Sequence, residues 1–463
     1  MEIEYGMQAT QGQKQWKVGT LVYSAGGLVM LFMFLLLGDF AWSLRERAVQ
    51  EVFKAMLLDL SKNALLLNLL VGALPAAVTM VVAPVVGAWS DRARTRLGRR
   101  IPFLLVSAPV VGISLIGLAY ADVLGGMVAD LLGLAPERRT TAILTFMVLF
   151  WTIFEVAAII GNELYYALIN DTVPQALIGR FYGVFRVISL SVGAGFFYAV
   201  FDNQLLQVLR PVLIGIGAIY MIGFFIMCWQ VKEGSYPPPA PRQHPGTGQL
   251  SGYIRSATAV PFFLLLFAVI AFGKVSYLIM NTNSMNASLQ FGVDRDSYAQ
   301  ATWITYLCSI VLSYPIGWLI DRVHPILVGC GALALYSLAM LAGWVVVHDV
   351  TSFKVFFVVH GILAGAIFTT TTTLLPRLLP RSRYGQMATL SAALTALMTV
   401  LLTPVTGVLI DLTGNDFRLV YLIAGLTGLV GIGLWLVLLR QFARLGGRDG
   451  YVAPDVESGG RAV

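Results

Sequence analysis

The chain has 463 residues, 57% of them hydrophobic and only 12% charged, with 46 Gly and 19 Pro. A soluble domain carries about a quarter charged residues, so the solvent of this chain is largely lipid, and both soluble globular and disordered classes are excluded. The formal net charge of +7 lies in short loops between apolar runs, which points to orientation in a bilayer and away from nucleic-acid binding.

In chain order, a first apolar run near 18–42 follows a polar stretch with Lys14 and Lys17 and precedes no small-residue cleavage site. It is expected to be a retained helix, not a removed signal peptide. Ser43 to Asn63 alternates charges with Val49, Val52, Phe53, Met56 and Leu57 at helical spacing, which predicts an amphipathic helix at the outer surface. Further runs lie near 65–90, 101–121, 141–169, 180–201 and 211–231. Lys232 to Arg255 then breaks the pattern with Pro237, Pro238, Pro239, Pro241 and Pro245, as an extended linker does. Runs resume near 258–282, 297–320, 325–347, 353–375, 385–410 and 417–439.

Since about 20 residues cross a bilayer, the expected fold is an all-α membrane protein of twelve transmembrane helices in two pseudo-symmetric six-helix bundles. The bundles are 1–231 and 258–440, with a cytoplasmic linker 232–257 and a cytoplasmic tail 441–463. Cys228, Cys308 and Cys330 fall inside apolar runs and read as free thiols. Counting helices from an inside start puts Arg92, Arg94, Arg96, Arg99 and Arg100 on the same side as Arg377, Arg381 and Arg383, with the amino terminus, the linker and Arg440, Arg444 and Arg448. That side holds about twice the Lys and Arg of the other, so both termini are expected in the cytoplasm.

The halves repeat each other. Gly87-Ala-Trp-Ser-Asp91-Arg92 ends helix 2, and Gly317-Trp-Leu-Ile-Asp321-Arg322 ends helix 8; Pro174 to Gly183 is echoed more loosely by Pro380 to Gly385. Such a repeat in a twelve-helix chain implies two similar bundles and alternating access.

At these residues the sequence resembles the major facilitator superfamily, whose loop between helices 2 and 3 carries Gly-x-x-x-Asp-Arg followed by Gly-Arg-Arg. The longer form seen here, Ser-Asp91-Arg92 with Gly98-Arg99-Arg100 and then Pro102-Phe103, is similar to the glycoside-pentoside-hexuronide symporters and the sucrose-type carriers. Tyr166-Ala-Leu-Ile-Asn-Asp171 with Arg180 is similar as well. The resemblance implies a sugar carrier coupled to a cation. It departs from the glycoside group in helix 2, where Asn68 to Trp89 has no acidic residue, and in helix 11, where Met387 to Ile410 has no basic one.

Ionisable residues within spans cost several kcal/mol unless they face a cavity or a partner. Glu155, near the middle of helix 4, is the first candidate for proton coupling, being able to bind and release a proton as access alternates. Glu163 lies eight residues on, roughly 80° around the helix. It reads equally as a coupling residue or as the partner of Arg186 at matched depth in helix 5. Asp39, near the outer end of helix 1, reads as a third proton site or as an interfacial residue. Lys274 in helix 7 either pairs with a carboxylate of the first half or snorkels outward.

A sugar needs flat apolar faces and hydroxyl partners, and Trp151, Asn162, Tyr166, Tyr277 and Asn281, with Lys274, stand at suitable depth for substrate binding. Asp91, Arg92, Arg99, Arg186, Asp321 and Arg322 are the gating candidates, since a carboxylate at a helix end can cap a facing amino terminus or pair with loop arginines. Arginines in a short cytoplasmic loop also arise from topology alone. His360 and the threonines 369–373 read as polar groups satisfied by their own helix.

The expected function is a proton-coupled sugar symporter of the bacterial inner (plasma) membrane, a monomer in the bilayer. No enzyme activity, cofactor, metal or nucleic-acid partner is expected, and Na+ is the alternative coupling ion. The rivals are a carrier or exporter of the same fold for another small molecule and a non-transporting membrane receptor or assembly factor.

Overall fold

The computed structural model of the chain describes residues 15–235, 260–380 and 384–454. Most of the expected linker and the end of the tail, together with Arg381 and Arg383, lie outside the described residues. Before the first helix, Trp16–Val18 and Leu21–Tyr23 pair antiparallel around a two-residue turn in which Gly19 takes φ +57. Part of the run near 18–42 is therefore a hairpin. The helix begins at Ala25, where the Ser24 side chain accepts from the Gly27 N–H.

Among the described residues, twelve helices are long and apolar enough to cross a membrane. In the first half spans 1 to 6 are Ala25–Leu60, Ala64–Arg92, Ile101–Ala119, Pro136–Thr172, Gln175–Ala199 and Leu209–Gln230. Spans 7 to 12 are Pro261–Gln290, Arg295–Val323, Pro325–Val346, Val350–Leu378, Met387–Leu412 and Leu419–Arg444. A short helix, Ala121–Leu131, packs on the start of span 4.

The stretch from Ser43 to Asn63 is not a separate surface helix. It continues span 1 through a π-helical turn, Arg45–Val49, and then Gln50–Leu60. Ala48, Val49, Val52 and Phe53 are wholly buried, and the Phe53 ring stacks on Trp151 of span 4 at 3.7 Å. The charges that suggested a water-facing helix belong to a buried one, and the π turn, which inserts one residue, re-aims them.

The chain forms two compact units, Met1–Ser61 with Val81–Ala240, and Lys62–Met80 with Pro241–Val463. In the first, span 1 packs on spans 5 and 6, and span 3 on spans 4 and 6. In the second, span 7 packs on spans 11 and 12, and span 9 on spans 10 and 12, so the same pairing scheme recurs six helices later. Small residues allow the close crossings: Gly217 of span 6 lies where a side chain would meet the Gly112 carbonyl of span 3 at 3.3 Å.

The division does not follow the linker alone, because the start of span 2 belongs with the second unit. Both Asp411 oxygens accept from its first amides, Ala64 N and Leu65 N, at 2.9 Å. A side chain at Gly407 would meet the Leu65 backbone at 2.6 Å. Asn68, at the head of a second π turn (Asn68–Ala73), exchanges amide hydrogen bonds of 2.8 and 3.1 Å with Asn283 of span 7. Beyond span 12, Tyr451 donates to the Leu378 carbonyl at 2.7 Å and Arg448 to the Arg322 carbonyl at 2.5 Å. The three cysteines are free thiols.

Candidate functional site

Within the first unit, span 1 carries Asp39, Arg45, Glu46 and Arg47 across its π turn. Asp39 is fully buried and its Oδ1 accepts from Ser43 at 2.9 Å, while Oδ2 has no partner among the described residues. Arg47 donates to Ser189 of span 5 at 3.3 Å. The Arg45 guanidinium lies 5.7 Å from the Trp42 ring and 5.8 Å from the Tyr220 ring of span 6, within the reach of cation–π attraction.

Glu155 of span 4 is buried and forms no ion pair among the described residues. Asn162 stands two turns further on the same face of span 4. Beside it, Gly161 has no side chain and so leaves room for the Tyr220 hydroxyl, which a Cβ there would meet at 2.9 Å. Trp42 Nε1, Arg45 Nε, Asn162 Oδ1 and the Tyr220 hydroxyl all lack a partner among the described residues. Buried polar atoms are normally paired. Here the unused capacity is three donor groups, one of them a hydroxyl that can also accept, and one amide acceptor, gathered near a carboxyl group.

An aromatic cluster adjoins this group. Tyr166 meets Trp42 edge-on at 5.8 Å, Phe185 at 5.9 Å and Tyr182 at 6.3 Å. Trp151 is wholly buried against Phe53, so its ring faces are occupied by packing and not open as a platform. Glu163 is half-buried, and Arg186 of span 5 makes polar or ring contacts within the protein. The arrangement thus brings Glu155, Asn162 and Tyr166 together with Arg45, Trp42 and Tyr220.

The second unit holds Lys274, Tyr277 and Asn281 on span 7. Lys274 is half-buried and makes no ion pair among the described residues. Asn281 is exposed and bonded to His360 at 2.9 Å. His360 is thereby satisfied by Asn281 and Tyr336, not by its own helix, whereas the threonines 369–373 do bond to their own helix backbone.

At the loop after span 2, Arg99 and Arg100 converge on Asp171 at the end of span 4, at 2.7 and 3.1 Å. Arg100 also pairs with Asp91 and donates to Ser90, and Arg99 lies 3.9 Å from Asp91. Glu233, just past span 6, accepts from the backbone amides of Arg99, Arg100 and Ile101 at 2.9, 2.7 and 2.8 Å, capping span 3 with its carboxylate. Gly98 takes φ +113 against Glu233, a position that tolerates no Cβ. Arg92 is exposed, outside this cluster. In the second unit Asp321 pairs with Arg377 at 2.5 Å, while Arg322 lies over the Trp318 ring at 5.1 Å. His324, between spans 8 and 9, has its pKa held down by burial and then by Arg377 and Arg448. Asp349 before span 10 has its pKa lowered by accepting from the Ser352 amide.

Sequence reasoning missed Arg45, Trp42, Tyr220 and Glu233, and it named Arg100, Asp171 and His360 without giving them a role in the site. Arg45 was legible in principle, since the apolar helical face runs unbroken from Ala48 to Leu57. Glu233 and Tyr220 carry no local signal, because what places them is another span. A cleft of about 270 Å³ lined by Leu105, Ala108, Pro109, Met221, Ile222 and Phe225 offers no polar side chain and is not the site.

Residues 262–449 match the family model described as Major Facilitator Superfamily. A stretch of 75 residues, 16% of this chain, is 33% identical to the sucrose transport protein SUC3 of Arabidopsis thaliana and spans 13% of that protein's length. Among solved structures, a bacterial homolog of the human lysosomal transporter Spinster, inward-facing and unoccupied, superposes with a TM-score of 0.64 over 90% of this chain and 97% of that one, at 12% identity. A D-xylose-proton symporter superposes with a TM-score of 0.61 over 88% of this chain and 96% of that one, at 13% identity. At such identities the likeness is one of fold.

Proposed function

We propose that this chain is a carrier of the Major Facilitator Superfamily, a proton-coupled sugar symporter working by alternating access. The coarser statement, an integral membrane transporter of that superfamily for a small molecule, rests on the family match and the fold. The observation that carries the finer reading is the group in the first unit: the buried carboxyl of Glu155, with Arg45 over the Trp42 and Tyr220 rings and unused hydrogen-bonding capacity on Trp42, Asn162 and Tyr220. A polyol both donates and accepts at each hydroxyl, so it can donate to the amide oxygen and the carboxylate while accepting from indole, guanidinium and phenol. The aromatic rings around Tyr166 supply the apolar faces a pyranose needs.

In this reading Glu155 is the coupling carboxylate. A proton on it removes a buried negative charge and adds a hydrogen-bond donor, so a protonated Glu155 can donate to a substrate oxygen and proton and substrate binding favour each other. Asp39 and Glu163 are the remaining carboxyl candidates in the same unit. Tyr166 and Asn162 are the substrate-binding candidates of the first unit, and Tyr277, Asn281 and Lys274 those of the second. The cluster of Asp91, Arg99, Arg100 and Asp171 acts in gating, with Asp321 and Arg377 as its reduced counterpart. The arginine excess supports cytoplasmic termini in a bacterial inner membrane.

A second reading, a carrier of another small molecule, draws on the comparable superposition with the Spinster homolog. Purified protein in proteoliposomes, offered mono- and disaccharides with and without inward proton or sodium gradients, tests both. Gradient-driven accumulation of a sugar with protons supports the symporter; no sugar uptake under any gradient rejects it in favour of the second reading.

A further inference from the structure

Span 2 is divided between the two units. The chain leaves the first unit after Ser61 and returns to it at Val81, so Lys62–Met80 is held by the second unit while spans 1 and 3, on either side in sequence, belong to the first. Alternating access is carried largely by each bundle moving as a body. A helix shared by two such bodies must bend or let go at one end when they move.

The hold on span 2 is concentrated in its first turns. Amides at the start of a helix have no acceptor within it. Asp411 of span 11 takes Ala64 N and Leu65 N, each at 2.9 Å, and Asn63 takes Leu66 N at 2.7 Å. The carboxylate thereby stands at the positive end of the span 2 dipole. Next along the helix, Gly407 leaves room for the Leu65 backbone, Asn68 and Asn283 exchange amide hydrogen bonds, and a Cβ at Gly72 would lie 2.8 Å from Thr403 Cβ. The amides, carboxamides and carboxylate are groups that water satisfies once they part.

The backbone of span 2 is weakest just past these contacts. The π turn Asn68–Ala73 interrupts the regular ladder, and Pro75 directly after it brings no N–H to it. Proline and π turns are where helices bend. The first turns can therefore change direction relative to the part of span 2 that enters the first unit.

We propose that Asp411 is the latch of a gate at the end of span 2 opposite the Arg99 and Arg100 loop: it holds the first turns of span 2 on the second unit in one state of the transport cycle and releases them in the other. The inference rests on the reading of the chain as an alternating-access carrier. It adds a gating residue outside the cluster around Asp91 and names the moving element. Asp411 is a positioning residue, since it touches the span 2 amides and no substrate.

The test is thiol reactivity of the full chain in lipid nanodiscs, with Cys228, Cys308 and Cys330 replaced by Ala. Thr403 is wholly buried against Gly72, so Thr403→Cys reports whether span 2 has left its seat; Ser337→Cys, wholly buried in span 9, reports general loosening. A charged, water-soluble maleimide is the probe. Adding Asp411→Ala should raise the labelling rate at position 403 by about 10-fold or more, the population shift expected from loss of a helix cap. Asp411→Asn keeps one acceptor oxygen and should fall between, and it decides alone if the Ala variant fails to insert. Position 337 should stay slow throughout. An unchanged rate at 403, or a rise at 337 that matches it, overturns the latch.

The labelling needs no substrate, so the two readings fail separately. If proteoliposomes take up nothing, the carrier reading falls while position 403 still decides whether Asp411 holds span 2. If a substrate is carried and position 403 stays unreactive in both variants, the latch falls and the carrier stands.

Discussion

The Arg45 guanidinium of span 1 lies 5.8 Å from the ring of Tyr220 in span 6, in the same unit that buries Glu155 of span 4. A cation and a buried carboxyl in one unit can form a couple whose strength changes with one proton. If they work together in transport, Arg45→Gln and Glu155→Gln are not independent. The double variant should lose less than the summed losses of the single ones, by about 1–2 kcal/mol in the activation free energy of uptake. Initial rates of the four proteins measure this, and additivity within error would separate the two residues.

Glu155→Gln imitates the protonated state of the carboxyl. Accumulation against a gradient needs a cycle of proton uptake and release, so the variant should abolish it. Exchange of substrate at equal concentrations needs no net proton movement and should persist. A misfolded or non-binding protein would lose both activities, which makes the contrast diagnostic. Normal proton-driven accumulation by the Gln variant would transfer the search to Asp39 and Glu163.

Glu233 accepts from three successive amides at the start of span 3. Glu233→Ala leaves them without that cap and should cost about 1–2 kcal/mol, the upper range for loss of a helix cap. Gly98→Ala should cost at least as much, because its φ of +113 is strained for any Cβ, which would also lie 2.5 Å from Glu233. Thermal unfolding of the detergent-solubilised protein reports both, and an unchanged midpoint for Glu233→Ala would count against the clamp.

Asn68 and Asn283 satisfy each other and their own helix carbonyls at Ala64 and Ile279 while fully buried. Either single change to Leu leaves a buried amide short of a partner, at about 1–3 kcal/mol. The double change to Leu removes both polar groups and should recover part of that loss. A double variant no more stable than the worse single one would indicate a packing role instead.

Single cysteines at positions 12 and 247 should be blocked from an impermeant thiol reagent in sealed right-side-out cells, as the arginine excess predicts. Labelling of either would reverse the proposed orientation.

By itself the sequence determined that the chain crosses a membrane with twelve helices in two repeated halves, because hydropathy and span length are local quantities that a bilayer reads segment by segment. The loop signature around Asp91 and Gly98 was legible for the same reason: glycine and charge at a helix end have local meaning. Tertiary structure decided the rest. It showed that Arg45 to Leu60 extends span 1, with Lys54 and the apolar face from Ala48 to Leu57 covered by packing that hydropathy does not place. It likewise assigned the start of span 2 to the second unit through Asp411 and Asn283, turned Trp151 into a packing residue against Phe53, and joined His360 to Asn281. Each of these depends on which distant side chain lies within about 3–4 Å, and no window of the sequence contains both partners.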